Sequence, residues 1–224
     1  MHERLRWAIL DGELEPGASI PQHVLAERLD AGRTPLREAL RMLQREGLVV
    51  AEPNHPVRIA PLTADDFEQL YIKRIALEGV AIRITVPLLT SDDVAELEAS
   101  MTKMDHYRDA GDDVGLRRPH RTFHRILVGG AGAGVSRAIG ELADHGERYR
   151  LAFHASGDWS DRRAEHRAIL DAAKAREPEA AADRLVEHYA ATVGLVFSAL
   201  DPGRDLTRLR VTFRTLAPRA ALPF

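Results

Sequence analysis

A chain of 224 residues is long enough for one large domain or for a small domain joined to a larger one, each with a core of its own. Its 34 acidic against 31 basic residues, a formal charge of -3, exclude a uniformly basic nucleic-acid coat but leave a local basic patch open. The absence of cysteine excludes disulfides, thiolate zinc sites and cysteine nucleophiles, agrees with a reducing cytoplasm, and restricts any metal to histidine or carboxylate ligands.

The first residues, MHERLRWAIL, are charged rather than leader-like, and no apolar run approaches the roughly 18 residues of a membrane span. A cytoplasmic protein without a membrane partner is therefore expected. Apolar residues recur three and four apart in Leu5, Trp7, Ile9 and Leu10, then in Val24, Leu25 and Leu29, then in Leu36, Leu40 and Leu43, which predicts three short helices. Glu15-Pro16-Gly17 is a turn signal between the first two. Thr34-Pro35 reads as an N-cap hydroxyl followed by proline at the first helical position, and the third helix is expected to end at Gly47. Two β-branched runs around a Pro/Asn/His turn in 48–60 predict a hairpin. From Pro61 the segments lengthen into helices near 64–85, 91–110, 112–128, 133–154, 159–176 and 179–200, with Thr63 and Asp66 as a capping pair for the first. The expected fold is mainly α: a winged helix-turn-helix in 1–60, a linker at 61–64, an all-α bundle in 65–200 and an irregular tail in 201–224.

Arg33, Arg37, Arg41 and Arg45 fall four apart and form one slowly drifting stripe on the third helix, while Leu36, Leu40 and Leu43 take another face. Alone, such a stripe reads as a solvated face paired with Glu38 and Glu46. A short helix, the Asp30-Ala31-Gly32 turn, a basic helix and a hairpin together point instead to a winged DNA reader. Residues 1–60 hold 8 Arg or Lys against 9 Asp or Glu, so attraction to double-stranded DNA must come from how the charge is distributed.

The stretch GELEPGASIPQHVLAERLDAGRTPLREALRMLQREGLVV resembles the N-terminal domain of GntR-type bacterial transcription regulators. The resemblance implies that Arg33, Thr34 and Arg37 meet operator phosphates or bases, with His23 on the second helix and Asn54 and His55 at the wing tip. Arg41 rests on the stripe alone. Asp30-Ala31-Gly32 stands where the family has Gly-Val-Ser, His23 where some members have Arg, and Pro56 where a wing glycine is common.

Of ten histidines, only His120 and His124 have the four-residue spacing that points two imidazoles the same way on a helix. Such pairs often arise by chance on a wet face. His166 and His188 lie on two later predicted helices, which an antiparallel hairpin would let face one another. Four neutral imidazoles suit Zn²⁺ first, and Ni²⁺, Co²⁺ or Cu²⁺ as well, whereas Mg²⁺ and Ca²⁺ want oxygen. Arg148 and Arg150 are candidates to meet a carboxylate, with pairing to neighbours such as Glu147 as the plainer alternative. Trp7 and Trp159 read as core or interface aromatics, and His2, His106, His145 and His154 as surface or locally satisfied.

Residues 65–200 resemble the helical FCD domain of the FadR subfamily, on Arg74 and Glu78, on Phe123-His124, and on Glu165-His166 with its downstream His188. In metal-binding members an Asp precedes the Phe-His histidine by four; here that position is His120. The resemblance implies a metal on His120, His124, His166 and His188, a small organic-acid effector and a homodimer that represses transcription. The alternative, a metal-dependent hydrolase, lacks support: there is no His-Glu-x-x-His and no carboxylate tied by spacing to the His120/His124 pair.

Overall fold

The structure, a computed structural model, describes residues 1–52, 55–153 and 162–221. Asn54, His154 and Trp159 lie outside the described residues. The N-terminal head contains α1 (His2–Leu10), β1 (Ser19–Ile20), α2 (Gln22–Arg28), α3 (Arg33–Arg45), β2 (Val49–Val50) and β3 (Val57–Ile59). Leu5, Ile9, Leu25, Leu36, Leu40 and Leu43, the periodic apolar positions, meet in one buried cluster with Val57 and Ile59.

Two details of the head differ from expectation. The hairpin is the larger part of a three-stranded sheet in the order β1-β3-β2, in which Ser19 and Ile20 pair antiparallel with Arg58 and Val57. A two-residue strand is too short to show alternation in sequence. Helix α3 starts two residues early, at Arg33, with Gly32 as N-cap and no side-chain cap, so Thr34 is not the cap. Pro35 then sits in the first turn, where its missing N–H has no helical partner to lose. Asp30, at the place of the family's turn glycine, holds a left-handed φ of 44°, a conformation that Asp tolerates better than most side chains. Gly47, at φ 73°, ends α3 as expected, and Leu48 N–H reaches back to the Leu43 carbonyl at 2.9 Å.

The second part comprises α4 (Ala64–Thr85), α5 (Ser91–Asp109), α6 (Asp113–Val128), α7 (Ala133–Phe153), α8 (Arg162–Lys174), α9 (Pro178–Leu200) and α10 (Thr207–Leu216). Thr63 caps α4 by accepting from Asp66 N–H at 3.2 Å. The reciprocal bond is absent among the described residues, because the Asp66 carboxylate takes Tyr149 Oη at 2.7 Å and His145 at 3.0 Å. Phe67, Ile75, Phe123, Tyr149, Leu170 and Val193 mark the shared core.

The tail, read as irregular, instead folds as α10 and completes that core. Leu206, Leu209, Phe213 and Ala217 recur three and four apart and all are buried. Arg204 binds Glu68 at 2.7 Å, and Arg83 Nη2 donates to the Leu216 carbonyl at 2.6 Å. The prolines and arginines of the segment obscure an apolar stripe that only the α4/α9 surface reveals as buried. Among the described residues no helix is long and apolar enough to cross a membrane.

Candidate metal centre and DNA-reading face

Phe123 and Leu127 anchor α6 in the core, and that phase turns His120 and His124 toward α8 and α9. His166 on α8 and His188 on α9 close the group: one ligand-capable atom from each of the four histidines lies within 4.8 Å of the others. Ring centroids are 4.7 Å apart for His120 and His124, and 4.6 Å for His166 and His188. His124, His166 and His188 are buried, and His120 is half-buried.

The outer hydrogen bonds leave nitrogens facing inward. His166 Nδ1 sits 2.6 Å from the Arg162 carbonyl, so it is the protonated nitrogen and Nε2 keeps its lone pair. His188 Nδ1 lies 2.7 Å from Glu165 Oε2. His124 Nε2 and His166 Nε2 are buried with no hydrogen-bond partner. An unpaired buried polar atom is costly in a folded protein, and two in one cluster of convergent imidazoles fit a divalent transition ion. Burial, reinforced by neighbouring imidazole charge, pushes His120 and His124 well below the usual histidine range. Burial, with nearby arginines, does the same to His188, and His166 falls to about 3. All four are neutral at pH 7, the form that binds metal.

Arginines surround the cluster. Arg74 pairs with Glu78 at 2.8 Å, donates to Tyr189 Oη at 2.9 Å and lies 4.5 Å over the Tyr189 ring. Gly146 makes room for it, since a Cβ there would stand 3.0 Å from Arg74 Nη1. Arg150 is held by Glu147 through contacts of 2.8 and 2.5 Å, and its charge acts on His120. Arg148 is placed elsewhere: its Nη2 donates to the Ala60 carbonyl, beside the linker.

On the head, Arg33, Thr34, Arg37 and Arg41 are exposed along α3, and His23 and His55 are exposed on α2 and beside the wing tip. Arg41 contacts Glu38 at 3.0 Å, whereas Glu46 turns away to Arg6 and His2. Gln22, which the sequence did not single out, donates to the backbone carbonyls of Glu52 and His55 and so braces the wing against α2.

The two parts meet through α1. Arg6 bridges Glu46 at 2.9 Å and Asp144 of α7 at 2.7 Å, while Arg121 of α6 also binds Asp144 and stands 4.6 Å over the Trp7 ring. Arg117, one turn earlier on α6, reaches Asp11 at 2.5 Å. Trp7 is thus an interface aromatic rather than a core one.

A winged head joined to a helical bundle with a histidine cluster defines a two-part DNA-binding transcription regulator. The chain belongs to the family described as bacterial regulatory proteins, gntR family, which matches residues 1–59, and carries an FCD domain at 69–191. It is 27% identical to an uncharacterized HTH-type transcriptional regulator, YdhC, of Bacillus subtilis (strain 168), over 84% of this chain and 85% of that one. It is 32% identical to a probable D-xylose utilization operon transcriptional repressor of Paenarthrobacter nicotinovorans, over 82% of this chain and 81% of the relative. The E. coli McbR/YncC structure shares the fold with a TM-score of 0.76 at 22% identity, covering 88% of this chain and 95% of that one. These relatives are transcription regulators, not enzymes, which sets the hydrolase aside.

Proposed function

We propose that this protein is a ligand-responsive repressor that binds palindromic double-stranded operator DNA as a homodimer in the cytoplasm. The head, 1–60, reads DNA through Arg33, Thr34, Arg37 and Arg41 with His23, Asn54 and His55 at its flanks. The bundle senses a small carboxylate at an ion held by His120, His124, His166 and His188, Zn²⁺ before Ni²⁺, Co²⁺ or Cu²⁺. When bound, the ion supplies a Lewis-acidic positive centre for a carboxylate oxygen. Arg150, close to His120, is the protein's own cation for the rest of such an effector; Arg148 acts at the linker.

The observation that carries this reading is that α6 bears both the His120/His124 pair and the Arg117/Arg121 pair. The first faces the sensing cluster and the second grips α1 of the head. A small shift of α6 on ligand binding therefore changes how the head is held. One set of operator titrations tests it. Arg37→Ala should cost about 1 to 3 kcal/mol if it reads a base, and should weaken all sequences alike if it meets only phosphate. Arg121→Ala should keep operator affinity in the ligand-free protein yet lose the response to metal plus acid. An Arg121→Ala protein that responds like wild type would refute the α6 route.

The dimer surface is assigned to α4 and the 3-10 turn that follows it. Leu77, Val80 and Ile84 on α4 and Leu88 in the turn, three and four apart, are 36%, 50%, 45% and 62% exposed. A twofold axis across that surface brings it against itself, as a palindrome requires. Ile84→Asp should place two desolvated carboxylates near the axis and weaken the dimer roughly 100-fold, about 3 kcal/mol. Analytical ultracentrifugation at micromolar concentration reads this, and an undisturbed dimer would move the interface elsewhere.

A further inference from the structure

Glu165, which the sequence links to His166 only as its chain neighbour, is brought by the fold behind His188. It precedes His166 on α8 but turns toward α9, where Oε2 lies 2.7 Å from His188 Nδ1. The same oxygen accepts from Arg162 Nη1 at 2.7 Å, and Arg162 Nη1 also donates to the His188 backbone carbonyl at 3.1 Å. Glu165, His188 and Arg162 thus form a closed ring, and Arg162, 6% exposed, is itself part of the packed interior. His166, by contrast, has only a neutral carbonyl behind it.

The asymmetry matters because none of the four imidazoles that face the cluster carries negative charge. A carboxylate behind an imidazole fixes its tautomer, orients the ring and raises the basicity of the inward nitrogen. Resting on the metal reading above, we propose that Glu165 is a positioning residue that gives the centre, one bond removed, the anionic character its direct ligands lack. With no carboxylate at position 120, Glu165 supplies that character from behind His188. Arg162 holds the carboxylate in place against His188 Nδ1.

The test uses the full chain, stripped by chelator, and Co²⁺ alone as probe. Glu165→Gln keeps size and can still accept from His188 Nδ1 through its amide oxygen, but removes the charge. Its Co²⁺ affinity should fall about 10- to 100-fold, with a shifted visible absorption spectrum. Metal-free melting should fall, because the buried Arg162 loses its counter-charge, so the Co²⁺ spectrum and not the stability reads the positioning role. The loss should be smaller in a His120→Asp background, where a direct carboxylate ligand replaces what Glu165 supplies. If wild type binds Co²⁺ and Glu165→Gln matches it in affinity and spectrum, the role of Glu165 is refuted while the metal site stands. If the loss is equal in both backgrounds, Glu165 positions His188 but does not compensate for position 120. Wild-type protein that takes up no Co²⁺ overturns the metal reading itself.

Discussion

Replacing His124 with alanine is expected to lower metal affinity by more than about 100-fold, a larger effect than loss of an outer partner, because one of four direct donors disappears. The metal-free protein should tolerate the change well. His124 Nε2 is buried without a partner, so its removal relieves an unsatisfied polar atom and offsets part of the cavity it leaves. His120→Asp predicts a different result. Four neutral ligands leave a dication with a formal charge of about +2 from its direct shell, and an Asp ligand cuts that to about +1. The metal should remain and an anionic effector should bind more weakly. Metal analysis of wild type, His124→Ala and His120→Asp, joined to calorimetric titration with candidate carboxylates, separates the two outcomes. Wild-type protein that carries no metal and accepts none on reconstitution would rule out the four-histidine site.

The same cluster makes the chelated protein acid-sensitive. In the unfolded chain each imidazole returns to about 6.5, whereas in the fold burial holds His120, His124 and His188 well below that value and His166 near 3. Above about pH 6.5 both states are neutral and the stability is fully present. As pH falls below it, the unfolded chain takes up protons that the folded one refuses, so stability is lost. At pH 5 each imidazole still neutral in the fold costs about 2 kcal/mol. Carboxylates that the fold keeps ionised, such as Asp66 and Glu147, begin to weaken the protein only below their ordinary range near 4, and Glu165, pushed up by burial, opposes the loss rather than adding to it, so a fall between 6.5 and 5 comes from the histidines. Thermal midpoints in EDTA should fall across that interval, and His166→Gln should flatten the fall. A midpoint independent of pH there would contradict a buried neutral cluster.

Local geometry explains what could be read without the fold. Spacing of three and four sets which side chains share a helix face, so the arginines of α3, the leucines beneath them and the His120/His124 pair are visible as pattern. The turn and cap chemistry around Gly47 and Thr63 is equally local, because each depends on a few consecutive residues. The α10 stripe follows the same rule and was legible in principle; its polar neighbours hid it. Strand β1 was not, since two residues carry no period and their pairing with β3 is a long-range contact.

The sequence by itself determined the two-part architecture, the basic helix α3 and the residue types available to a metal. Only the tertiary structure decided that α8 and α9 deliver His166 and His188 to the α6 pair, that Glu165 backs His188, that Arg148 goes to the linker, and that Arg117 and Arg121 reach the head. Each of these joins residues on different helices. Their meeting depends on the distance and rotation at which helices pack, which the buried side chains of the whole bundle set together and no short stretch encodes.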